Sequence, residues 1–192
     1  MKYDPHDPYF RRAKVEGYLA RSVYKLIELD KRYRLFRRGM RVLELGAAPG
    51  SWTQYLVQRY GPDITVWAFD TQPLLYAAPQ VTFYQLDVCS PEIEAYVGGR
   101  QWDAVLSDMA PATSGNRVTD QARSVALVER SLQLAENALG SGGIWVAKLL
   151  EGPEREVLVG KARRLFAEVF VFRPASTRKG STECFLVGRK RR

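Results

Sequence analysis

Apolar residues follow two periods along this chain. Over residues 14–33, Val15, Tyr18, Leu19, Val23, Leu26 and Ile27 recur at three- and four-residue spacing, which predicts one amphipathic helix. Short continuous apolar runs predict strands at 41–45, 65–69, 82–86, 104–107, 143–149, 168–172 and 184–188. Helical patterns lie between them at 51–60, 119–139 and 153–166. A strand that is apolar on both sides must be covered on both faces. The pattern therefore predicts an α/β fold, a mostly parallel seven-stranded sheet with helices on both faces. The last two strands are joined by the polar stretch Arg173-Pro-Ala-Ser-Thr-Arg-Lys-Gly-Ser181, which has no room for a crossover helix. That connection predicts a C-terminal antiparallel hairpin.

Size and composition narrow the class. The chain has 192 residues, 46% hydrophobic and 26% charged, enough for one domain with its own core. We read 1–192 as that domain, with the basic segment and helix of 1–38 packed on it. No run approaches the ~18 apolar residues that span a bilayer, and the N-terminus has no apolar signal region. Cys89 and Cys184 make no disulfide framework, so a cytoplasmic protein is expected. His6 is the one histidine, which argues against Ser-His-Asp chemistry and a histidine metal site; no metal is expected. Charge is uneven. Residues 1–41 carry 12 Lys/Arg against 5 Asp/Glu and residues 173–192 carry 7 against 1, while 42–172 carry 10 against 15. Basic ends around an acidic middle point to a polyanionic partner, RNA or DNA.

The densest chemistry lies in Val42-Leu-Glu-Leu-Gly-Ala-Ala-Pro-Gly-Ser-Trp52. It reads as a buried strand, a turn bracketed by Gly46 and Gly50, and a helix start whose free N–H groups suit an anionic ligand group. Asp70 closes the second strand, placed for a ribose diol, and Asp87 follows the third, placed for an adenine amino group. Trp52 reads equally as a core aromatic or as a wall of the cofactor site. The turn is G-A-A-P-G, so the dinucleotide fingerprint G-x-G-x-x-G is absent. A parallel sheet closed by an antiparallel hairpin, with these strand-end acids, resembles Rossmann-like S-adenosylmethionine methyltransferases.

Two further charges end neighbouring strands. Asp108 follows the fourth, in Ser107-Asp-Met-Ala-Pro111, and Lys148 closes the fifth, in Gly143-Ile-Trp-Val-Ala-Lys148. Both emerge at the carboxyl edge, over the cofactor crevice. Methyl transfer from a sulfonium has a neutral leaving group and needs no general acid. A hydroxyl nucleophile needs in-line placement and removal of its proton, and a neutral lysine can take that proton.

These motifs together resemble the heat-shock RNA methyltransferases, which methylate a ribose 2′-hydroxyl of large-subunit ribosomal RNA. The resemblance rests on G-A-A-P-G-S-W, S-D-M-A-P and V-A-K and runs from Ser22-Val-Tyr-Lys-Leu26 through Ser181-Thr-Glu183. It implies a tetrad of Lys25, Asp108, Lys148 and Glu183, with Lys148 the proton acceptor and Lys25 and Glu183 holding it. It implies S-adenosyl-L-methionine as cofactor, at Gly50, Trp52, Asp70, Asp87 and Asp108, and methylation of a uridine on the large ribosomal subunit by a monomer. Lys25 and Glu183 stand out only through the resemblance. Two substrate-facing loops depart from the family's common pattern. Ala112-Thr-Ser-Gly115 stands for Asn-Met-Ser-Gly, and Leu150-Glu-Gly152 for Phe-Gln-Gly.

RNA contact is expected on two rims of the site. Arg11, Arg12, Lys14 and Arg21 precede Lys25, and Arg37 and Arg38 follow it; Arg173, Arg178 and Lys179 sit in the last loop. Three alternatives share parts of this pattern. A transfer-RNA ribose methyltransferase would carry the same tetrad. A nicotinamide oxidoreductase would share the sheet and Asp70 but not the turn. A non-catalytic RNA-binding or ribosome-assembly module would keep only the basic rims.

Overall fold

The computed structural model describes residues 7–192; His6 lies outside them. The elements run α1 (Pro8–Val15), α2 (Val23–Tyr33), β1 (Arg41–Leu45), α3 (Ser51–Tyr60), β2 (Thr65–Asp70), β3 (Val81–Gln85), α4 (Ile93–Val97), β4 (Trp102–Ser107), α5 (Arg117–Ala138), β5 (Leu139–Leu150), α6 (Arg155–Leu165), β6 (Phe166–Phe172) and β7 (Glu183–Arg191). One seven-stranded sheet has the order β3-β2-β1-β4-β5-β7-β6. Strands β1 to β5 pair in parallel, and β7 runs antiparallel between β5 and β6.

Alternation along each strand sorts the core into two layers. Leu43 and Leu45 of β1 join Val105, Trp145 and Leu186 beneath α5 and α6. Val42 joins Ala68, Leu106, Val146 and Phe185 beneath α2 and α3. Ser22 makes no side-chain cap for α2. Val23, Leu26 and Leu29 hold that helix instead, each fully buried and each contributing about 1.5–3 kcal/mol by burial.

Two expectations fail locally. The single helix over 14–33 is two helices. Gly17, at φ +75°, ends α1 in a Schellman turn, with Tyr18 N–H on Ala13 C=O at 2.8 Å and Gly17 N–H on Lys14 C=O at 3.4 Å. Val15 and Leu19 consequently lie exposed rather than on a core face. The short α4 carries too few residues for a helical period to register. Its Ile93 and Val97 are nonetheless fully buried.

The strand directions explain where the site sits. Parallel strands β1, β2 and β4 deliver their last residues to one edge of the sheet. The antiparallel β7 delivers its first residue to that same edge, so Glu183 stands opposite Leu150, the last residue of β5.

Candidate active site

The carboxyl edge holds a cleft of ≈ 300 Å³ lined by Gly46, Asp70, Asp87, Asp108 and Met109, among others. Gly46 is at φ +75°, and a Cβ there would meet Met109 at 2.8 Å. Only glycine therefore lets the first turn pass close under the loop after β4. Gly50 is at φ +113°, and its Cβ would meet the Tyr76 side chain at 2.9 Å.

Asp70 ties this loop together. Its Oδ2 accepts from Ala48 N–H at 2.9 Å and its Oδ1 from Gln72 N–H at 2.8 Å. A carboxylate offers about four acceptor positions, so each oxygen keeps one for a ligand hydroxyl. Asp87 is exposed and spends Oδ1 on Cys89 N–H at 2.8 Å. Asp108 follows β4 and receives Lys148 Nζ at 2.8 Å on Oδ1 and also on its carbonyl oxygen.

Lys148 is the one charged residue of β5 and is buried. Its cross-strand partner is Phe185, which packs against Trp52 with ring centroids 5.9 Å apart. Lys148 and Glu183 are diagonal neighbours on one face of the β5–β7 ladder, a separation of roughly 7–8 Å between Cα atoms. On that face α2 brings Lys25, whose Nζ lies 2.6 Å from Glu183 Oε1. The approach is off-line for a hydrogen bond, and Oε1 has no other partner. Four charges from four elements are thus drawn to one edge as two opposed pairs, Lys148–Asp108 and Lys25–Glu183, with side chains between 10% and 18% exposed.

Trp52 stands apart from the cleft. Its indole is 2% exposed, and Nε1 donates to Ser22 C=O at 2.9 Å. The ring is core, and the backbone N–H of Trp52 lies in the first turn of α3.

Among the residues expected to meet RNA, Arg11 and Lys14 are exposed on α1 and Arg173 and Lys179 on the last loop. Arg12 is exposed but paired with Glu16 at 2.7 Å. Arg21 and Arg178 are turned inward onto Asp7, with Arg178 Nε at 3.2 Å and Arg21 closer. Arg21 also donates to Ser176 C=O, and Glu28 accepts from Ala175 N–H at 2.6 Å and Ser176 N–H at 2.9 Å. These bonds pin the loop that leads into Glu183. Arg37 and Arg38 are not on a rim of the site. They precede β1, with Arg37 4.0 Å from Asp103 near the start of β4, so they belong to the amino-terminal edge of the sheet. That edge has a hollow of ≈ 340 Å³, slightly larger than the cleft, whose lining holds neither a carboxylate nor a lysine.

Glu44 was not anticipated. It is 1% exposed on β1 and accepts from Thr53 Oγ1 at 2.7 Å. Thr53 is in the first turn of α3, so this carboxyl reaches the helix N-terminus behind the glycine turn. Burial raises its pKa to about 8, with the Thr53 bonds opposing and Asp108 and Asp70 adding to the rise. The signal was an acid at mid-strand in the apolar run Val42-Leu-Glu-Leu45. In a sheet covered on both faces such an acid has no route to solvent.

Among the described residues no group of three or more His, Cys, Asp and Glu is placed to hold a metal, and no helix is long and apolar enough to cross a membrane.

A protein from Syntrophobacter fumaroxidans named ribosomal RNA large subunit methyltransferase E is 45% identical over 195 residues, covering 100% of this chain and 99% of its own. One of the same name from Bdellovibrio bacteriovorus is 41% identical, covering 98% of each chain. A crystal structure described as a ribosomal RNA methyltransferase from Plasmodium falciparum superposes with a TM-score of 0.79 at 25% identity, covering 91% of this chain and 98% of that one. Human methyltransferase-like protein 13, solved with S-adenosylhomocysteine, shares the fold at a TM-score of 0.58 and 14% identity, covering 79% of this chain and 72% of that one. Residues 18–191 match the FtsJ-like methyltransferase family, and the chain belongs to it.

Proposed function

We propose that this chain transfers a methyl group from S-adenosylmethionine to a ribose 2′-hydroxyl, that of a uridine in large-subunit ribosomal RNA. The observation that carries the reading is the paired set Lys148–Asp108 and Lys25–Glu183 at the edge of a cleft ended by Asp70 and Asp87. The class of RNA is supported by relatives named ribosomal RNA large subunit methyltransferase E.

The cleft suits the cofactor. Asp70 keeps free acceptor positions for ribose hydroxyls, Asp87 keeps one oxygen for the adenine side, and the first turn of α3 offers N–H groups, that of Trp52 included, to a carboxylate. S-adenosylmethionine supplies the methyl group as an electrophilic sulfonium. The chain's own task is to place the hydroxyl and take its proton. Lys148 in its neutral form has two N–H bonds and one lone pair. Asp108 accepts from that nitrogen at two oxygens, which fixes the amine and leaves the lone pair for the hydroxyl proton. Glu183, held by Lys25, faces the same edge and sets the charge around it.

Arg11, Arg12 and Lys14 on α1, with Arg173 and Lys179 on the last loop, provide phosphate contacts on the two rims. Such contacts position RNA without reading its sequence, so the acceptor is defined by its place in a folded ribonucleoprotein. The test is transfer of a labelled methyl group to isolated large subunits, protein-free ribosomal RNA and transfer RNA, with mapping of the modified nucleotide. Label on a uridine ribose of the large subunit is expected. Label chiefly on transfer RNA would replace the substrate, and label on a base would overturn the reaction.

A further inference from the structure

The amino-terminal edge of the sheet, opposite the methyl-transfer cleft, is basic and open. Two hollows, of ≈ 340 and ≈ 220 Å³, meet there at Trp102. Arg41 and Arg100 line one, and Arg34 and Arg37 the other; Arg38 is exposed beside them. Asp103 is the one carboxylate lining either hollow. It already accepts Arg41 N–H at 2.7 Å and stands 3.6 Å from the Arg41 guanidinium and 4.0 Å from that of Arg37. Among the described residues no carboxylate lies within ion-pair distance of Arg34, Arg38 or Arg100.

Arg12 and Arg155, on other faces, are each paired with a carboxylate, that of Glu16 and of Glu151. In these two hollows the one lining carboxylate, Asp103, is shared between Arg37 and Arg41, and the remaining positive charge is left facing outward. Arg37 and Arg41 are 73% and 52% exposed. Arg100 is laid over the Trp67 ring, 4.3 Å from its centroid. Stacking holds a guanidinium flat and leaves its N–H edges free for phosphate oxygens.

We propose that this edge is a second RNA-binding surface, which grips the phosphate backbone of a segment other than the one whose ribose enters the cleft. The separation follows from the strands. The five residues of β1 put about 16 Å between the two edges, so one local stretch of backbone does not serve both. A chain of this size would then bridge two RNA segments and recognise their relative placement, which only a folded ribosomal subunit provides. The proposal rests on the RNA-methylation reading above.

The test uses the full chain and Arg37→Ala/Arg41→Ala/Arg100→Ala, surface changes that spare the core. The probes are large ribosomal subunits and the protein-free RNA extracted from them. The logarithm of binding affinity is measured against the logarithm of salt concentration. Loss of three phosphate contacts lowers that slope by about two to three, on both probes, and raises KM for subunits. Cofactor affinity and the single-turnover rate at saturating subunits should stay within about two-fold, because none of the three residues borders the cleft. An unchanged slope overturns the proposal. So does a change seen on intact subunits but not on protein-free RNA, which would make a ribosomal protein the partner. If the unaltered chain methylates no RNA, the functional reading fails first, and this one with it.

Discussion

Lys148 Nζ lies 2.8 Å from Asp108 Oδ1, and the two residues come from neighbouring strands in register, since Ser107 pairs with Ala147. The contact is a direct consequence of parallel pairing. Where β4 ends at Ser107, β5 is in register at Ala147, so the next residues, Asp108 and Lys148, stand side by side. If this pair carries the proton transfer, Lys148→Ala should leave cofactor and RNA affinities nearly unchanged while single-turnover methyl transfer falls by roughly 10²–10⁴-fold. Lys148→Arg should not restore it, because a guanidinium stays protonated. A Lys148→Ala rate within a few-fold of the unaltered chain would leave positioning as the whole of catalysis.

Asp70 serves both the loop and the ligand. Asp70→Ala removes the acceptor for Ala48 and Gln72 N–H as well as that for the ribose. Cofactor binding should weaken by about 1.5–3 kcal/mol, the scale of a lost charged hydrogen bond. Asp70→Asn, which keeps one acceptor oxygen, should lose less. Calorimetry with S-adenosylhomocysteine reads both; equal affinity in all three proteins would remove Asp70 from the site.

Trp52 offers a sharper contrast. Its indole is packed on Phe185 and bonded to Ser22 C=O, so Trp52→Phe should cost stability, about 1 kcal/mol for the bond plus a packing loss. The backbone N–H in the turn of α3 is unchanged, so cofactor affinity should hold. A clear loss of affinity in a variant that unfolds at the same denaturant concentration as the unaltered chain would put the ring itself in the cofactor site.

The strand-end acids were legible because a parallel sheet fixes where its strands finish, and an apolar run followed by Asp or Lys marks that edge. Asp70, Asp87, Asp108 and Lys148 were placed this way. Lys25 and Glu183 were not, because each is an ordinary charged residue until the tertiary fold brings α2 against the first residue of an antiparallel strand. The N-terminal helix was misread because side-chain periodicity ran on through Gly17, where backbone geometry ends α1. Arg37 and Arg38 were assigned to the wrong end because they follow Lys25 closely in sequence. Yet α2 lies across the sheet, and 11 residues of helix carry the chain about 16 Å from one edge to the other.

Glu44 makes the stability of the fold depend on pH. Its pKa is raised by burial to about 8 in the folded chain and is ordinary when unfolded. Between those values the folded state holds a proton that the unfolded state releases. Unfolding therefore becomes easier as pH rises from about 4.5 to about 8, and the loss levels off above that. Glu44→Gln keeps an acceptor for Thr53 Oγ1 and has no proton to lose, so this part of the slope should vanish. Urea unfolding at pH 5.5 and pH 8 measures it in both proteins. Equal pH dependence in the two would mean that Glu44 is already ionised where it sits.

The rim nearest the cleft predicts a salt effect of its own. Arg11 and Lys14 are exposed on α1, and Arg12 lies over the Tyr24 ring, 4.7 Å from its centroid, while paired with Glu16. Arg21 and Arg178 are committed to Asp7 and hold the last loop rather than reach for phosphate. The rim's contribution should therefore come from the exposed cations. Replacing Arg11, Arg12 and Lys14 together by Ala should flatten the salt dependence of RNA affinity by about two to three in slope, with cofactor binding intact. Arg12 should contribute least of the three when each is replaced alone, since its charge already has a partner. Arg178→Ala should behave differently. It should lower turnover more than affinity, because freeing the loop loosens Glu183 and with it Lys25. A steeper salt slope on losing Arg178, or none lost with Arg11 and Lys14, would place the RNA path on another face of the molecule.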